Sequence, residues 1–224
     1  MGSDLYPDYY NPLIVKPERP MPKVVAMVGA GTIGPDIGYY LKSALPGIRL
    51  YLVDVVQKPL ENARKRIEGY IQKAIDRKKM TEEKSKAVVA NIHYTMNYGD
   101  IEEADLVIEA ATERLEIKRK IFAQVEEIVG PDTIITSNTS SIPAERIFAE
   151  VKRPERTTIT HFFAPAWRNP AVEVITWDKV DRKIVDYLAW MFCATGKTPI
   201  ISRSEICFIL DRVFDNWCND AAML

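Results

Sequence analysis

Residues 24–54, VVAMVGAGTIGPDIGYYLKSALPGIRLYLVD, constrain the fold of this chain more than any other stretch. Val24 to Val28 is an almost unbroken apolar run, the pattern of a parallel strand buried on both faces. Gly29-Ala30-Gly31-Thr32-Ile33-Gly34 follows, and Ile33, Ile37, Leu41 and Leu45 then recur near helical spacing. Leu50 to Val53 makes a second strand, closed by Asp54. A strand, a glycine turn, a helix and a strand ending in an acid about 20 residues past the last glycine is the pattern of a dinucleotide-binding βαβ unit. The first glycine makes the tight turn, the second lets the backbone approach a pyrophosphate, and the third lets helix and strand pack closely. The phosphates would rest on the open N–H groups and positive dipole end of the helix, which makes Gly29, Gly31, Thr32, Ile33 and Gly34 cofactor-contact candidates. Asp54 can accept hydrogen bonds from both adenosine ribose hydroxyls and would repel a 2′-phosphate, so the unit points to NAD over NADP. A glycine turn and a strand-end Asp with no ligand is the competing reading, and GxGxxG alone does not exclude it; the surrounding strand, helix, second strand and acid argue against it.

The rest of the chain continues the alternation. A long, charged helix is expected from Pro59 to about Lys79, with Leu60, Ala63, Ile67, Tyr70, Ile71 and Ile75 as its apolar stripe, and a second starts at Thr81. Strands are expected at 92–95, 105–110, 133–137, 157–160, 172–176 and 198–202, with helices over 113–129 and 181–195. This predicts an α/β, Rossmann-type, doubly wound and mostly parallel sheet, with ligands at the carboxyl ends of its strands. Ser140 and His161 are expected just beyond two such ends. Residues 1–22, with five prolines among tyrosines and charges, read as an extended arm; residues 23–203 read as the Rossmann domain. A helix from Glu205 to Leu224 carries Leu210, Val213, Phe214, Trp217 and Ala221 as an apolar stripe.

The 224 residues carry a formal net charge of −1, which gives no reason to expect nucleic acid or an anionic membrane as partner. No apolar run approaches membrane-spanning length, and MGSDLYPDYY lacks the charged start and apolar block of a signal peptide, so a cytoplasmic protein is expected. Cys193, Cys207 and Cys218 show no CxxC spacing and no clustered histidines; buried reduced thiols are expected, and no metal site. The basic run Arg77, Lys78 and Lys79 could meet a phosphorylated ligand or form a solvated helix face.

GAGTIG with Asp54, DLVIEAATERLEIKRKIF, TSNTSS, RPERTTITHFFAP and AVEV together resemble the NAD-binding domain of the L-3-hydroxyacyl-CoA dehydrogenases, over nearly all of residues 23–215. The resemblance implies His161 as catalytic base, Glu173 as the carboxylate that orients it, and Ser140 as a hydroxyl touching substrate and cofactor. It implies Glu113 and Lys118 as contacts near the nicotinamide half, and Arg77 as a basic residue on the coenzyme A moiety. The implied reaction is NAD-dependent oxidation of an L-3-hydroxyacyl-CoA to the 3-ketoacyl-CoA, as in fatty-acid β-oxidation, by a protein that is a homodimer at full length. The chemistry suits the residue types: a base must take the hydroxyl proton as hydride leaves, and the imidazolium that forms needs a carboxylate on its other nitrogen. His93, the other of the two histidines, reads as structural.

Three departures accompany the resemblance. Ala164 stands where the family reads asparagine in HFFNP, and Asp211 in CFILDR stands where an asparagine helps hold the substrate carbonyl. A glycine of that second motif is Cys207. The family continues with a helical domain of roughly a hundred residues, so 204–224 read as the start of a truncated C-terminal helical domain, and slow or absent acyl-CoA turnover is expected from this chain alone. Two further readings stand beside the main one: a dehydrogenase of a free hydroxy acid, as in the gulonate dehydrogenase and lens-crystallin relatives, and an NAD-binding module without turnover.

Overall fold

A computed structural model describes residues 14–223, so most of the arm expected over 1–22 lies outside the described residues. Residues 14–22 form no helix or strand; the Tyr187 hydroxyl donates to the carbonyl of Pro20 at 2.9 Å and ties their end to the domain. The strands are β1 (Val24–Val28), β2 (Arg49–Val53), β3 (Ile92–Thr95), β4 (Leu106–Glu109), β5 (Ile134–Ser137), β6 (Thr157–Phe162), β7 (Ala171–Thr176) and β8 (Thr198–Arg203). The helices are α1 (Gly34–Ala44), α2 (Gln57–Asp76), α3 (Glu82–Val89), α4 (Leu115–Ile128), α5 (Ala144–Ile147), α6 (Arg182–Ala194) and α7 (Leu210–Ala222).

One sheet runs in the order β3-β2-β1-β4-β5-β6-β7-β8. The first six strands pair in parallel, while β7 is antiparallel to β6 and parallel to β8. The strand order reverses between β1 and β4, which opens a crevice at their carboxyl ends, the place where open α/β sheets bind ligands. Two apolar layers hold the sheet. On one face Ile37 and Leu41 of α1 and Leu60 and Ile67 of α2 share a core layer with Val25 and Met27 of β1, and Leu188 and Phe192 of α6 continue it beside Val172 and Val174 of β7. On the other, Phe122 and Val125 of α4 pack with Ile147, Phe148 and Phe208 against Val28, Ile135 and Ile159. Because β1 is buried on both faces, all five of its residues are apolar, and the alternation that marks a half-exposed strand is missing.

Three details differ from the sequence reading. His161 lies inside β6, not beyond its end, because pairing with Glu173 of β7 prolongs the strand through Phe162. The final helix starts at Leu210, not Glu205, since Cys207 and Phe208 sit at φ 59° and 44°, outside the helical region. Of the cysteines only Cys193 is buried; Cys207 and Cys218 are half-buried, and none of the three is in a disulfide. None of the α7 residues is buried, and Val213, Phe214 and Trp217 are each more than 60% exposed.

Candidate active site

The glycine turn joins β1 to α1 with each glycine under a different constraint. Gly29 has φ +110°, and a Cβ there would lie 2.5 Å from the carbonyl oxygen of Ala110. A Cβ on Gly34 would lie 2.0 Å from the carbonyl oxygen of Gly29. Gly31 has nothing within 4 Å of that position, so its backbone faces open space at the start of α1. Ile33, the N-cap of α1, makes no side-chain cap; Pro35 carries no N–H, and those of Asp36 and Ile37 donate to the Ile33 carbonyl at 3.0 Å, so in the first turn the Gly34 N–H is left for an anion. Asp54 closes the turn from β2: one carboxylate oxygen accepts the N–H of Ala30 at 2.9 Å, and the other accepts that of Val56 at 3.0 Å. From α2, Arg66 donates to the carbonyl of Thr32 at 2.6 Å and pairs with the buried Asp36 at 2.8 Å.

Two cavities flank this turn and share Ala110 and Ala111. One, of about 350 Å³, is lined by Gly29, Gly31, Asp54, Val55, Tyr98 and Ile121 and has the apolar walls and terminal carboxylate that an adenosine needs. The other, of about 340 Å³, is lined by Ile33, Glu113, Lys118, Asn138, Ser140 and His161. A dinucleotide whose pyrophosphate rests on Gly31 would place one half in each, so the residues present fit NAD.

In the second cavity β6 and β7 set the acid–base pair. Their antiparallel register puts His161 opposite Glu173, and Nδ1 lies 2.8 Å from Oε2 of Glu173. The other carboxylate oxygen accepts the N–H groups of Ile209 and Leu210 at 3.0 and 2.9 Å, so Glu173 also holds the start of α7. Burial would raise the Glu173 carboxyl, but the bonds from His161, Leu210 and Ile209 outweigh it and hold it below the ordinary carboxylate value. With Nδ1 engaged, Nε2 remains for a reacting proton, and Asp211 of α7 lies 3.8 Å from it, beyond hydrogen-bonding distance. Burial pushes Asp211 up; His161 opposes the rise, and Glu173 and Asp215 add to it. Phe163 and Phe208 wall the imidazole at ring separations of 4.4 and 5.8 Å.

Glu113 enters the cavity from the segment between β4 and α4, and Lys118 from the first turns of α4. Lys118 is 2% exposed at its side chain, and its ammonium pairs with Glu109 at 2.8 Å and Glu113 at 3.3 Å. Glu113 in turn receives the hydroxyl of Thr139, the N–H of Ser140 at 3.3 Å and the hydroxyl of Ser141 at 3.2 Å. Its carboxyl would be raised by burial; Thr139 and Lys118 reverse this and hold it low. Glu109, Asn138 and Thr139 were missed as site residues in the sequence. An acid inside the apolar run of DLVIEA was the available signal for Glu109, since a strand buried on both faces needs a partner for it. Asn138 had no such mark; its Oδ1 accepts the N–H of Phe162 at 2.9 Å, which locks the turn after β5 to the strand that carries His161.

Arg77 is not brought beside His161. It ends α2 on the rim of a third cavity, of about 390 Å³, with Tyr39, Tyr70, Lys73, Trp167 and Arg168. The loop after β6 connects the two places, with Phe163 and Ala164 on the His161 cavity and Trp167 and Arg168 on the other. Ala164 offers only a methyl group there. His93 is exposed on the edge strand β3, stacked on Tyr51. Among the described residues no group of three or more His, Cys, Asp or Glu could hold a metal ion, and no helix is long and apolar enough to cross a membrane.

The family described as 3-hydroxyacyl-CoA dehydrogenase, NAD binding domain, matches residues 24–205. This chain belongs to that family. Its cofactor is accordingly NAD, and its chemical class is that of an NAD-dependent dehydrogenase domain. Among solved structures it is similar to (S)-3-hydroxybutyryl-CoA dehydrogenase from Ralstonia eutropha, at 30% identity and TM-score 0.84, covering 89% of this chain and 70% of that one. It is similar to 3-hydroxybutyryl-CoA dehydrogenase from Escherichia coli, at 35% identity and TM-score 0.78, covering 82% of this chain and 38% of the other. A third similar structure, at 27% identity and TM-score 0.79, is a 5-formyl-3-hydroxy-2-methylpyridine 4-carboxylic acid 5-dehydrogenase described as an NAD+-dependent dismutase; 91% of this chain covers 65% of it.

Proposed function

We propose that this domain carries the cofactor and the general base of an enzyme that oxidises an L-3-hydroxyacyl-CoA to the 3-ketoacyl-CoA. The observation that carries the proposal is His161, bonded through Nδ1 to Glu173 and lining a cavity together with Ser140, Glu113 and Lys118. Nε2 takes the hydroxyl proton, and Glu173, kept ionised by its hydrogen bonds, balances the imidazolium that results. Bound NAD supplies the acceptor for the hydride leaving the same carbon. The Ser140 hydroxyl orients the substrate oxygen, and Glu113 with Lys118 borders the nicotinamide. The acyl-CoA class draws support from the third cavity. Its arginines and lysines suit phosphate groups, and the rings of Tyr39, Tyr70 and Trp167, 5.3 to 6.2 Å apart, suit an adenine. We also propose the domain division 1–22, 23–203 and 204–224; the exposed apolar face of α7 supports reading the last segment as the start of a second unit.

A free hydroxy acid is the second reading. It is favoured by Asp211, whose carboxylate lacks the amide donor that would hold a ketone, and by the similarity to an enzyme named for a pyridine carboxylic acid. NADH formation with 3-hydroxybutyryl-CoA and with 3-hydroxybutyrate, measured in parallel, separates these readings. Turnover of the thioester alone supports the first, and turnover of the free acid alone the second. NAD binding with neither turned over by the full-length parent supports an NAD-binding module. In whichever assay is active, His161→Gln is expected to lower turnover about 100-fold or more, the usual scale for losing a general base, with NADH affinity nearly intact. Turnover within a few-fold of the parent would exclude the base role.

A further inference from the structure

Glu109 is the last residue of β4 and is 0% exposed, a carboxylate at the floor of the crevice where the strand order reverses. Four hydrogen bonds reach it from three different segments. Lys118 of α4 donates to both of its oxygens at 3.0 and 2.8 Å. The Ser137 hydroxyl, at the end of β5, donates at 2.6 Å, and the N–H of Ala111, under the glycine turn, donates at 2.8 Å. The backbone adds a further tie, since Asn138 N–H donates to the Glu109 carbonyl at 2.7 Å. Lys118 then passes the linkage to Glu113, and Glu113 to Thr139 and Ser140.

A buried ion pair contributes little net stability, because taking both charges out of water offsets their attraction. Its surplus is orientation. Of the groups in this linkage, Ala111, Glu113, Lys118, Asn138 and Ser140 border the cavity beside His161, Ser137 and Thr139 support them from behind, and only Ala111 also borders the adenosine cavity. We propose that Glu109 is a positioning residue for the nicotinamide end of the cofactor, fixing Lys118, Glu113 and the Ser137–Ser140 turn as one unit. The inference rests on the NAD-site reading and asks which half of the dinucleotide a buried charge serves.

Glu109→Gln is the conservative probe. The glutamine oxygen can keep Ala111 and the 3.0 Å contact to Lys118, and its NH₂ can donate to a rotated Ser137 hydroxyl, so packing survives while the second contact to Lys118 and its counter-charge are lost. The measurement is the dissociation constant of NADH and of ADP-ribose, by calorimetry, for the parent chain and the variant. ADP-ribose keeps the adenosine and pyrophosphate and lacks the nicotinamide. NADH should weaken about tenfold or more, the scale of losing one hydrogen bond to a charged group, while ADP-ribose changes less than about twofold. If Glu109→Gln fails to fold, Ser137→Ala removes one of the four bonds to Glu109 without changing a residue that lines either cavity, and the same split between the two ligands, smaller in size, is expected. Equal weakening of both ligands shows a general structural role and overturns the proposal, as does NADH affinity unchanged in both variants. A parent chain that binds neither ligand overturns the NAD-site reading itself, and the proposal with it.

Discussion

Cys207 holds φ 59° with a side chain that the left-handed region disfavours, and Phe208 follows at 44°. The sequence shows only that a cysteine stands where the resembled family has glycine; the backbone gives the reason glycine suits the place. Leaving β8, the chain must reverse so that Ile209 and Leu210 present their N–H groups to Glu173, and the left-handed pair makes that reversal. A non-glycine residue there costs roughly 1–2 kcal/mol, and glycine returns roughly 0.4–1 kcal/mol of that through the freedom of the unfolded chain. Cys207→Gly is therefore expected to stabilise by about 0.5–1 kcal/mol and to raise Tm by roughly 1–3 °C in a chain of this size. Calorimetry checks it, and a lowered Tm would mean that the thiol's packing outweighs the strain. Glu109 and Asn138 mark the limit of residue-by-residue reading. Apolar periodicity treats the acid in DLVIEA as noise, and nothing local distinguishes an asparagine that fastens two strands from one in a turn.

At the scale of elements the βαβ unit was legible because its signals are local: five apolar residues, three glycines at fixed spacing, a helical stripe and a terminal acid. The motif does not distinguish the jobs of its glycines, which depend on what lies across the turn. Gly34 packs its backbone against Gly29, and an added methyl group would overlap a carbonyl oxygen that has nowhere to move. Gly31 faces open space. Gly34→Ala is thus expected to destabilise the fold by about 3 kcal/mol, the upper range for overpacking. Gly31→Ala should change Tm by no more than a surface substitution does, about 0.5 kcal/mol, while NADH binding is largely lost because the methyl group occupies the pyrophosphate's approach. Thermal melts with and without NADH resolve the two, and Gly31→Ala binding NADH like the parent would rule out phosphate approach over that residue. The reversal of β7 was less legible than the parallel strands. Its sequence, AVEVIT, reads as a strand, but direction is set by the short connection from β6, and that connection brings Glu173 opposite His161.

Across the whole molecule, ionisable groups caught between helices and sheet shape stability at high pH. Lys42 donates to the carbonyls of Pro46 and Ile48, and burial lowers it to about 8. Lys197 donates to the carbonyls of Ala166 and Asn169, lies over the ring of Tyr40 and is also lowered by burial to about 8. Between pH 8 and the ordinary lysine value of 10.5 the unfolded chain therefore holds more protons at these two sites than the folded one, and stability rises with pH. Tyrosines act in the opposite sense. Burial raises Tyr94, Tyr98 and Tyr187 to about 12, and Tyr40 further, so above the ordinary value of 10.0 the folded chain retains protons that the unfolded chain has lost. Stability then falls. The two trends meet in a maximum near pH 9–10, above the range of roughly 5–8 in which proteins usually peak. Urea midpoints at constant ionic strength from about pH 7 to 11 should climb, turn over and decline, with a slope that follows the difference in bound protons. Lys197→Met should flatten the climb while leaving the decline in place, because only one of the two lysines remains and the tyrosines are untouched. A midpoint that stays level from pH 7 to about 10 before it falls would show that both ammonium groups stay charged in the folded chain, held by their carbonyl partners, and would overturn the climb.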